Sequence, residues 1–275
     1  MTLQKWMATV AIAACSMVAA SAAEPDAKAP APKADLSQLT FGTLRAMPAD
    51  AAKAKVAEWL KAAGKLDQAK LDAAFASDKS TIEKLLAGVA LGNPELKKIV
   101  DDARDVTIAA PTTVPDVLKN EKDAFVKTNV AAAFARTLSA RKVYEEALAA
   151  AADIQAEQLV DPSAFYFFKA VAEHSLAGYV RKNKVDAQAS IVRLIDDVVD
   201  APDRYKMVAT LMFFDLQSWA KDDKDLGNIG KLMDNSARRL DLARGGKTTQ
   251  DIQKKIVLRL DEKIKELENQ QKGGS

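Results

Sequence analysis

Residues 243–249 read Ala-Arg-Gly-Gly-Lys-Thr-Thr (ARGGKTT), and the reading of this stretch separates two fold classes. Gly-Lys-Thr is the tail of the phosphate-binding P-loop, Gly-x-x-x-x-Gly-Lys-Ser/Thr, which follows a β-strand in α/β proteins. With Gly246 as the second glycine of that motif, the first falls at Asp241. Upstream, Ile229, Leu232, Met233 and Leu240 form a helical stripe where the motif requires a strand. A link between two helices accounts for each residue instead. Gly245 or Gly246 supplies the left-handed position that ends one helix. Thr248 or Thr249 caps the next, with Asp251 near its positive N-terminus. No nucleotide, and no other cofactor, is expected, and the chain is expected to be all-α.

Downstream of the link, one long helix is predicted from Thr249 to Gln271. Val257, Leu260, Ile264 and Leu267 lie on it at a, d, a, d spacing. Asp251–Lys255 and Asp261–Lys265 add i,i+4 pairs in the favourable order. The stripe is expected to dock on the preceding helices. A partner or dimer seam, and so a homo-oligomer, is the alternative.

Upstream, helix signals recur. Asp161-Pro162 reads as an N-cap followed by N1 and opens a helix over 163–177. A further helix is predicted from Asp186 to Val199, and Asp200-Ala201-Pro202 resets the chain before Tyr205, Val208, Met212, Leu216 and Trp219. Phe125, Val130, Phe134 and Leu138 lead into Tyr144, Ala147, Leu148, Ala151 and Ile154. Four shorter helices are expected between Leu36 and Asp105. Pro48 starts the first and Gly64 stops it. Ser80 and Glu83 form a capping box for another, which Gly92 ends, and Asn93-Pro94 opens the last. Val106 to Asp116, with two prolines and β-branched residues, reads as an extended connector between two helical subdomains. Strict alternation with turn dipeptides, the hairpin signal, is missing throughout.

The spacing of Tyr144, Ala147, Ala151 and Ile154, with Ala135 upstream, resembles the second helix of a tetratricopeptide repeat (TPR). Ala187, Ile191 and Leu194 resemble a weaker second copy, with Gly178 to Lys184 as an insertion. The C-terminal half is also similar to exported bacterial proteins without an assigned function. The resemblance implies stacked antiparallel helix hairpins, a TPR-like solenoid or an irregular bundle, and a concave surface that holds a peptide or protein partner.

The N-terminus has the layout of a signal peptide over residues 1–23. Lys5 is its only charge, Trp6 to Val18 is apolar, and Ala20-Ser21-Ala22 is an A-x-A cleavage site, so the mature chain is expected to begin at Ala23 or Glu24. Ile12-Ala13-Ala14-Cys15 also resembles a lipobox, and membrane anchoring through Cys15 is the alternative. Residues 24–35 (EPDAKAPAPKAD) read as a disordered Pro/Ala/Lys-rich tether. The remaining divisions are a small helical subdomain over 36–105, the connector over 106–116, a TPR-like subdomain over 117–246, and the C-terminal helix with its tail over 247–275.

Several chemistries find little support. Net charge is +2 and the signs are interspersed, so nucleic acid is not an expected partner. Cys15 is the only cysteine and His174 the only histidine, which leaves no Cys/His zinc set in the mature chain. His174 follows Glu173 on one helix and no nucleophile elbow accompanies it, so a packing role is expected. Asp222 to Gly227 hints at a calcium loop, but Asn228 stands where that loop needs glycine and Asp234 where it needs glutamate. The aromatic run Phe165 to Phe168 points around its helix, as in a helix wedged between neighbours. The expected protein is exported, to the periplasm or beyond, and non-catalytic. It binds a protein or peptide partner, with assembly through the C-terminal helix as the alternative.

Overall fold

The computed structural model describes residues 41–273. The expectations for the signal peptide, its cleavage at Ala22 or Ala23, Cys15 and the tether over 24–35 lie outside the described residues. Within them the fold is all-α. There are twelve α-helices and no strand, and the one β-type pairing is an isolated parallel bridge between Leu44 and Val198.

The first four helices are α1 (Ala49–Ala62), α2 (Gln68–Phe75), α3 (Thr81–Gly92) and α4 (Pro94–Arg104). Their ends follow local chemistry. Gly64 sits at φ +66°, and the amides of Gly64 and Lys65 donate to the carbonyls of Lys61 and Leu60, closing α1 with a Schellman motif. The Asn93 side chain accepts from the amide of Glu95, with Pro94 at the first helical position. The capping box at Ser80 does not form. Ser80 makes no side-chain cap, and Glu83 turns aside to pair with both terminal nitrogens of Arg104, a charge-assisted fork that holds it away from the α3 amides. Gly92 ends α3 as expected, and it also serves packing. It is buried as the last residue of α3, and an added Cβ would lie 2.5 Å from the Trp59 ring.

The remaining helices are α5 (Asp116–Lys119), α6 (Ala124–Ala140), α7 (Tyr144–Ala150), α8 (Pro162–Ala177), α9 (Lys182–Val192), α10 (Asp203–Ser218), α11 (Leu226–Asp241) and α12 (Lys247–Gly273). A 3-10 turn over Ala156–Gln158 follows α7, and a π-turn over Arg193–Asp197 ends α9. Helix α6 is the centre. It is apolar nearly all round, with Phe125, Val126, Val130, Phe134 and Leu138 buried, and it packs on α4, α7 and α8. Its buried Asn129 is satisfied on every side. The amide nitrogen donates to the carbonyls of Phe125 and Gln158, and the oxygen accepts from the amide of Val160, which pins the loop after α7.

One apolar core runs from Leu44 to Leu216. The connector over 106–116 forms no strand and does not divide this core, because Ala103 before it and Leu118 after it both belong. The Arg141 fork also ties it down, donating to the carbonyls of Ala103 and Ile108 at 2.9 Å each. A four-helix segment of this size buries too little apolar surface alone, and α6 supplies the rest.

Asp161 and Pro162 open α8 as expected, with the Asp161 carboxylate accepting from the amide of Ala164 at 2.9 Å. A regular repeat is not evident among the described helices. Helix α7 has seven residues and stops before Ile154, because the chain turns back to bury Leu159 and Val160. Helix α9 begins at Lys182, so the expected insertion at Gly178 to Lys184 is a tight turn followed by helix, and Val199 lies beyond the π-turn.

The link at 243–249 joins two helices, α11 and α12. The left-handed residue is Ala243, at φ +57°, rather than either glycine. Its amide donates to the carbonyl of Leu240 and that of Arg244 to Arg239. Helix α12 starts at Lys247, which places Thr248 and Thr249 inside its first turn instead of ahead of it. The buried Thr249 hydroxyl donates to the carbonyl of Arg244 and accepts from Arg239 Nε, so it serves the link rather than the cap.

Candidate functional site

Three features outside the main core have the composition of working surfaces. The first is the C-terminal hairpin. Helices α11 and α12 fold back on each other and bury a separate small cluster, Ile229 and Leu232 against Ile252 and Ile256. The docked stripe is therefore not the expected one. Leu260 is partly buried at the edge of that cluster, while Val257, Ile264 and Leu267 are 58%, 52% and 50% exposed. Two reasons account for this. Ile252 and Ile256 continue to Leu260 on the face toward α11, which turns Val257 and Ile264 outward. Helix α12, with 27 residues, also outruns α11, with 16, by about 16 Å at 1.5 Å per residue.

This hairpin meets the body mainly through charge. Arg238, Arg239 and Arg244 converge on Glu145 and Glu146 of α7. Arg238 is 8% exposed and also donates to the carbonyl of Lys142 at 2.8 Å. Arg244 donates to the carbonyl of Pro111 at 2.8 Å. Burial pushes the Glu145 carboxyl up, but the hydrogen bond and charge of Arg238, with Arg239 adding to them, hold it below the usual glutamate range. In sequence the pattern was visible only as an acidic pair opening α7 and basic residues closing α11. Both suit helix dipoles without any tertiary partner.

The second feature is the outer face of α9 and α10. Helix α10 packs on α8 and α9 through Tyr205, Ala209 and Leu216. Its opposite face carries Met207, Leu211 and Phe214, each more than 60% exposed, at i, i+4, i+7 spacing. Val208 stands beside them, Val185 and Val192 are exposed along α9, and Ile195 is exposed on the π-turn that follows it. Of the expected stripe Tyr205, Val208, Met212, Leu216 and Trp219, Val208 is exposed, while Met212 packs against the main core. A helix apolar on two sides gives no periodic signal of which side is covered. The chain enters at this face: the amide of Gly42 donates to the carbonyl of Asp196, that of Leu44 to Asp197, and that of Val199 to Leu44.

The third is a cleft of about 360 Å³ between α8, α10 and α11. His174 lies in it, and its Nε2 is 2.8 Å from Asp215 Oδ2. The Trp219 indole donates to the same oxygen at 2.8 Å. Burial raises the Asp215 carboxyl, but the bonds from Trp219 and His174 outweigh it and hold the group below the usual aspartate range. A His–Asp pair of this kind orients an imidazole. Ser175 lines the same cleft but is its chain neighbour on α8, and adjacent helical residues do not face each other.

The remaining sequence candidates are used internally. Asp223 pairs with Arg181 and Arg259, Asp225 caps α11 through the amides of Gly227 and Asn228, and Asp222 accepts from the amide of Lys224. Phe165 and Tyr166 are buried, while Phe167 stacks on Tyr205 with ring centroids 4.2 Å apart, so the aromatic run is a wedge between helices. Among the described residues no helix is long and apolar enough to cross a membrane. Comparison with protein families, curated proteins and solved structures finds no match for this chain.

Proposed function

We propose that this protein is an exported, non-catalytic binding protein that docks an amphipathic helix of a partner protein on the outer face of α9 and α10. The observation that carries this reading is the exposed row Met207, Leu211 and Phe214 on α10, with Val192 and Ile195 exposed on the neighbouring α9 and its π-turn. Exposed apolar residues at helical spacing on one helix, with more on its neighbour, make a surface of the kind an amphipathic helix covers. Gly42 and Leu44 are bonded to Asp196 and Asp197 in the π-turn after α9, so the described residues begin next to Ile195. A second reading, assembly through α12, is favoured by the exposure of Val257, Ile264 and Leu267.

The test is site-specific photocrosslinking from position 211 in envelope extracts, followed by identification of the crosslinked peptide. A partner segment with apolar residues at helical spacing is expected, and Leu211→Glu with Phe214→Glu should abolish its copurification without altering the melting transition. Unchanged copurification of that partner with the double variant refutes the reading. A crosslink to a second copy of the chain replaces it with self-assembly.

A further inference from the structure

The cleft between α8, α10 and α11 holds a buried donor with nothing to donate to. Asn235 is 4% exposed, lines the cleft, and its Nδ2 has no hydrogen-bond partner among the described residues. Its orientation is fixed by chemistry. Arg238 has only donors, and it approaches Asn235 Oδ1 at 2.6 Å through Nη2 and 3.2 Å through Nε. The amide oxygen must face Arg238, so the nitrogen faces away from it. A buried donor without an acceptor destabilises a fold unless something arrives to accept from it.

The surroundings define that acceptor. The adjoining network sets three arginines against two glutamates, leaving an excess of positive charge behind the cleft wall. Lys231 stands over the Trp219 ring, 4.4 Å from its centroid. Its stem is held close to the end of α8 because Gly178 has no side chain; a Cβ there would fall 2.7 Å from Lys231 Cβ. Of the two acids in the lining, Asp215 is already occupied by His174 and Trp219, and Asp234 is exposed. Asn235 Nδ2 is thus left without an acceptor on α11, Lys231 Nζ keeps protons beyond the one it donates to the Gly227 carbonyl at 3.3 Å, and the walls beside them are the rings of Tyr144 and Trp219. Donors with positive charge call for an anionic acceptor, and flat apolar walls call for a compact apolar body.

We propose that this cleft binds a carboxylate carried on a compact apolar body, with Asn235 Nδ2 and Lys231 Nζ as its donors. The carboxylate comes either from a free small acid or from the C-terminal residue of a peptide. The site is separate from the α9–α10 face, and its test is independent of the partner proposed there.

Phenylacetate represents the free acid and N-acetylphenylalanine the peptide terminus; phenylacetamide and N-acetylphenylalanine amide are the uncharged controls. Titration calorimetry of the chain should give a dissociation constant below about 1 mM for at least one acid and none for its amide. In the chain labelled with 5-fluorotryptophan, the fluorine resonance of Trp219 should shift while that of Trp59 stays. Asn235→Asp keeps an oxygen for Arg238, so the fold is retained, but it turns the free donor into a negative acceptor. Affinity should fall by at least about tenfold, and Lys231→Gln should lower it in the same direction. Binding of phenylacetate alone assigns the site to free acids, and binding of N-acetylphenylalanine alone to peptide termini. Failure of both acids to bind at about 10 mM, equal binding of acid and amide, or unchanged affinity in Asn235→Asp overturns the proposal.

Discussion

Arg238 of α11 holds Glu145 of α7 with both arms of its guanidinium, Nη1 to Oε2 at 2.9 Å and Nη2 to Oε1 at 2.7 Å. The grip matters because the apolar cluster under the C-terminal hairpin is almost self-contained, with Tyr179 as its one apolar contact from the body among the described residues. Charge therefore does the docking that a core does elsewhere in this fold. Removing one partner of a buried pair leaves the other desolvated and unmatched. Glu145→Ala should destabilise the chain by about 3 kcal/mol, the low end for buried pairs, since the Glu145 side chain retains 31% exposure. Urea denaturation measures the loss, and hydrogen exchange should show α11 and α12 losing protection before α6.

Acid should undock the same hairpin. The native Glu145 carboxyl titrates below its unfolded value, so its contribution is full above the ordinary glutamate pKa and is lost as pH falls through the lowered native one. Glu173 acts with the opposite sign. Burial raises its carboxyl despite Lys169 and Ser190, so its ionisation weakens the fold as pH rises above the ordinary glutamate value. Glu173→Gln should therefore gain on the parent protein as pH rises above the ordinary glutamate value. The Glu145→Ala penalty should instead be constant above the ordinary glutamate value and shrink only as pH falls below it. Parallel melts of both variants from below to above the ordinary glutamate value check the two signs.

Gly92→Ala should be severe for so small a change. The added carbon would lie 2.5 Å from Trp59 and 2.8 Å from Leu60, so the α1–α3 crossing must shift to admit it. Overpacking of this kind costs about 1–3 kcal/mol. Gly64→Ala, where nothing lies within 4 Å but φ is +66°, tests backbone strain alone and should cost less, about 1 kcal/mol. A larger penalty at Gly64 than at Gly92 contradicts this assignment.

The contrast between these glycines shows what was legible in the sequence. Gly64 follows an apolar stripe and ends it, a local event that local pattern captures. Gly92 also ends a stripe, but it is a glycine because Trp59, far away in the chain, crosses there. The helices themselves were legible because caps such as Asn93 and Asp161 act on neighbouring amides. The all-α reading of ARGGKTT held, yet its details did not, because Thr249 answers to Arg239 and Arg244 rather than to its own helix. The α9–α10 face and the Asn235 cleft were invisible for a related reason. Periodicity reports that Met207, Leu211 and Phe214 share a side, but which side the body covers depends on α8, and the orphan amide of Asn235 depends on Arg238.

Ala243 offers a direct test of the link. A non-glycine residue at φ +57° carries a left-handed strain of about 1–2 kcal/mol, partly offset because glycine would gain freedom in the unfolded chain. Ala243→Gly should raise stability by about 0.5–1 kcal/mol. Substituting either Gly245 or Gly246 by alanine should be near neutral, since neither has φ in the left-handed region and the nearest atom to an added Cβ is 3.9 Å away. A marked loss at Gly246 would return that residue to the structural role its motif first suggested.

The last prediction concerns the two sides of α12. Ile252 is fully buried against Ile229 and Leu232, so Ile252→Ala should cost about 2–4 kcal/mol and release the hairpin, whatever the oligomeric state. Ile264 and Leu267 project into solvent from the part of α12 that outruns α11, and their replacement by alanine should change monomer stability by less than about 0.5 kcal/mol. If α12 assembles with a second copy, the behaviour reverses: Ile264→Ala with Leu267→Ala then shifts the mass in light scattering toward the monomer and makes the melting temperature independent of concentration. A parent chain that is monomeric throughout, with a melt the double variant leaves in place, removes the assembly reading. It would leave the stripe as surface, and the α9–α10 face as the docking site on which the proposed function rests.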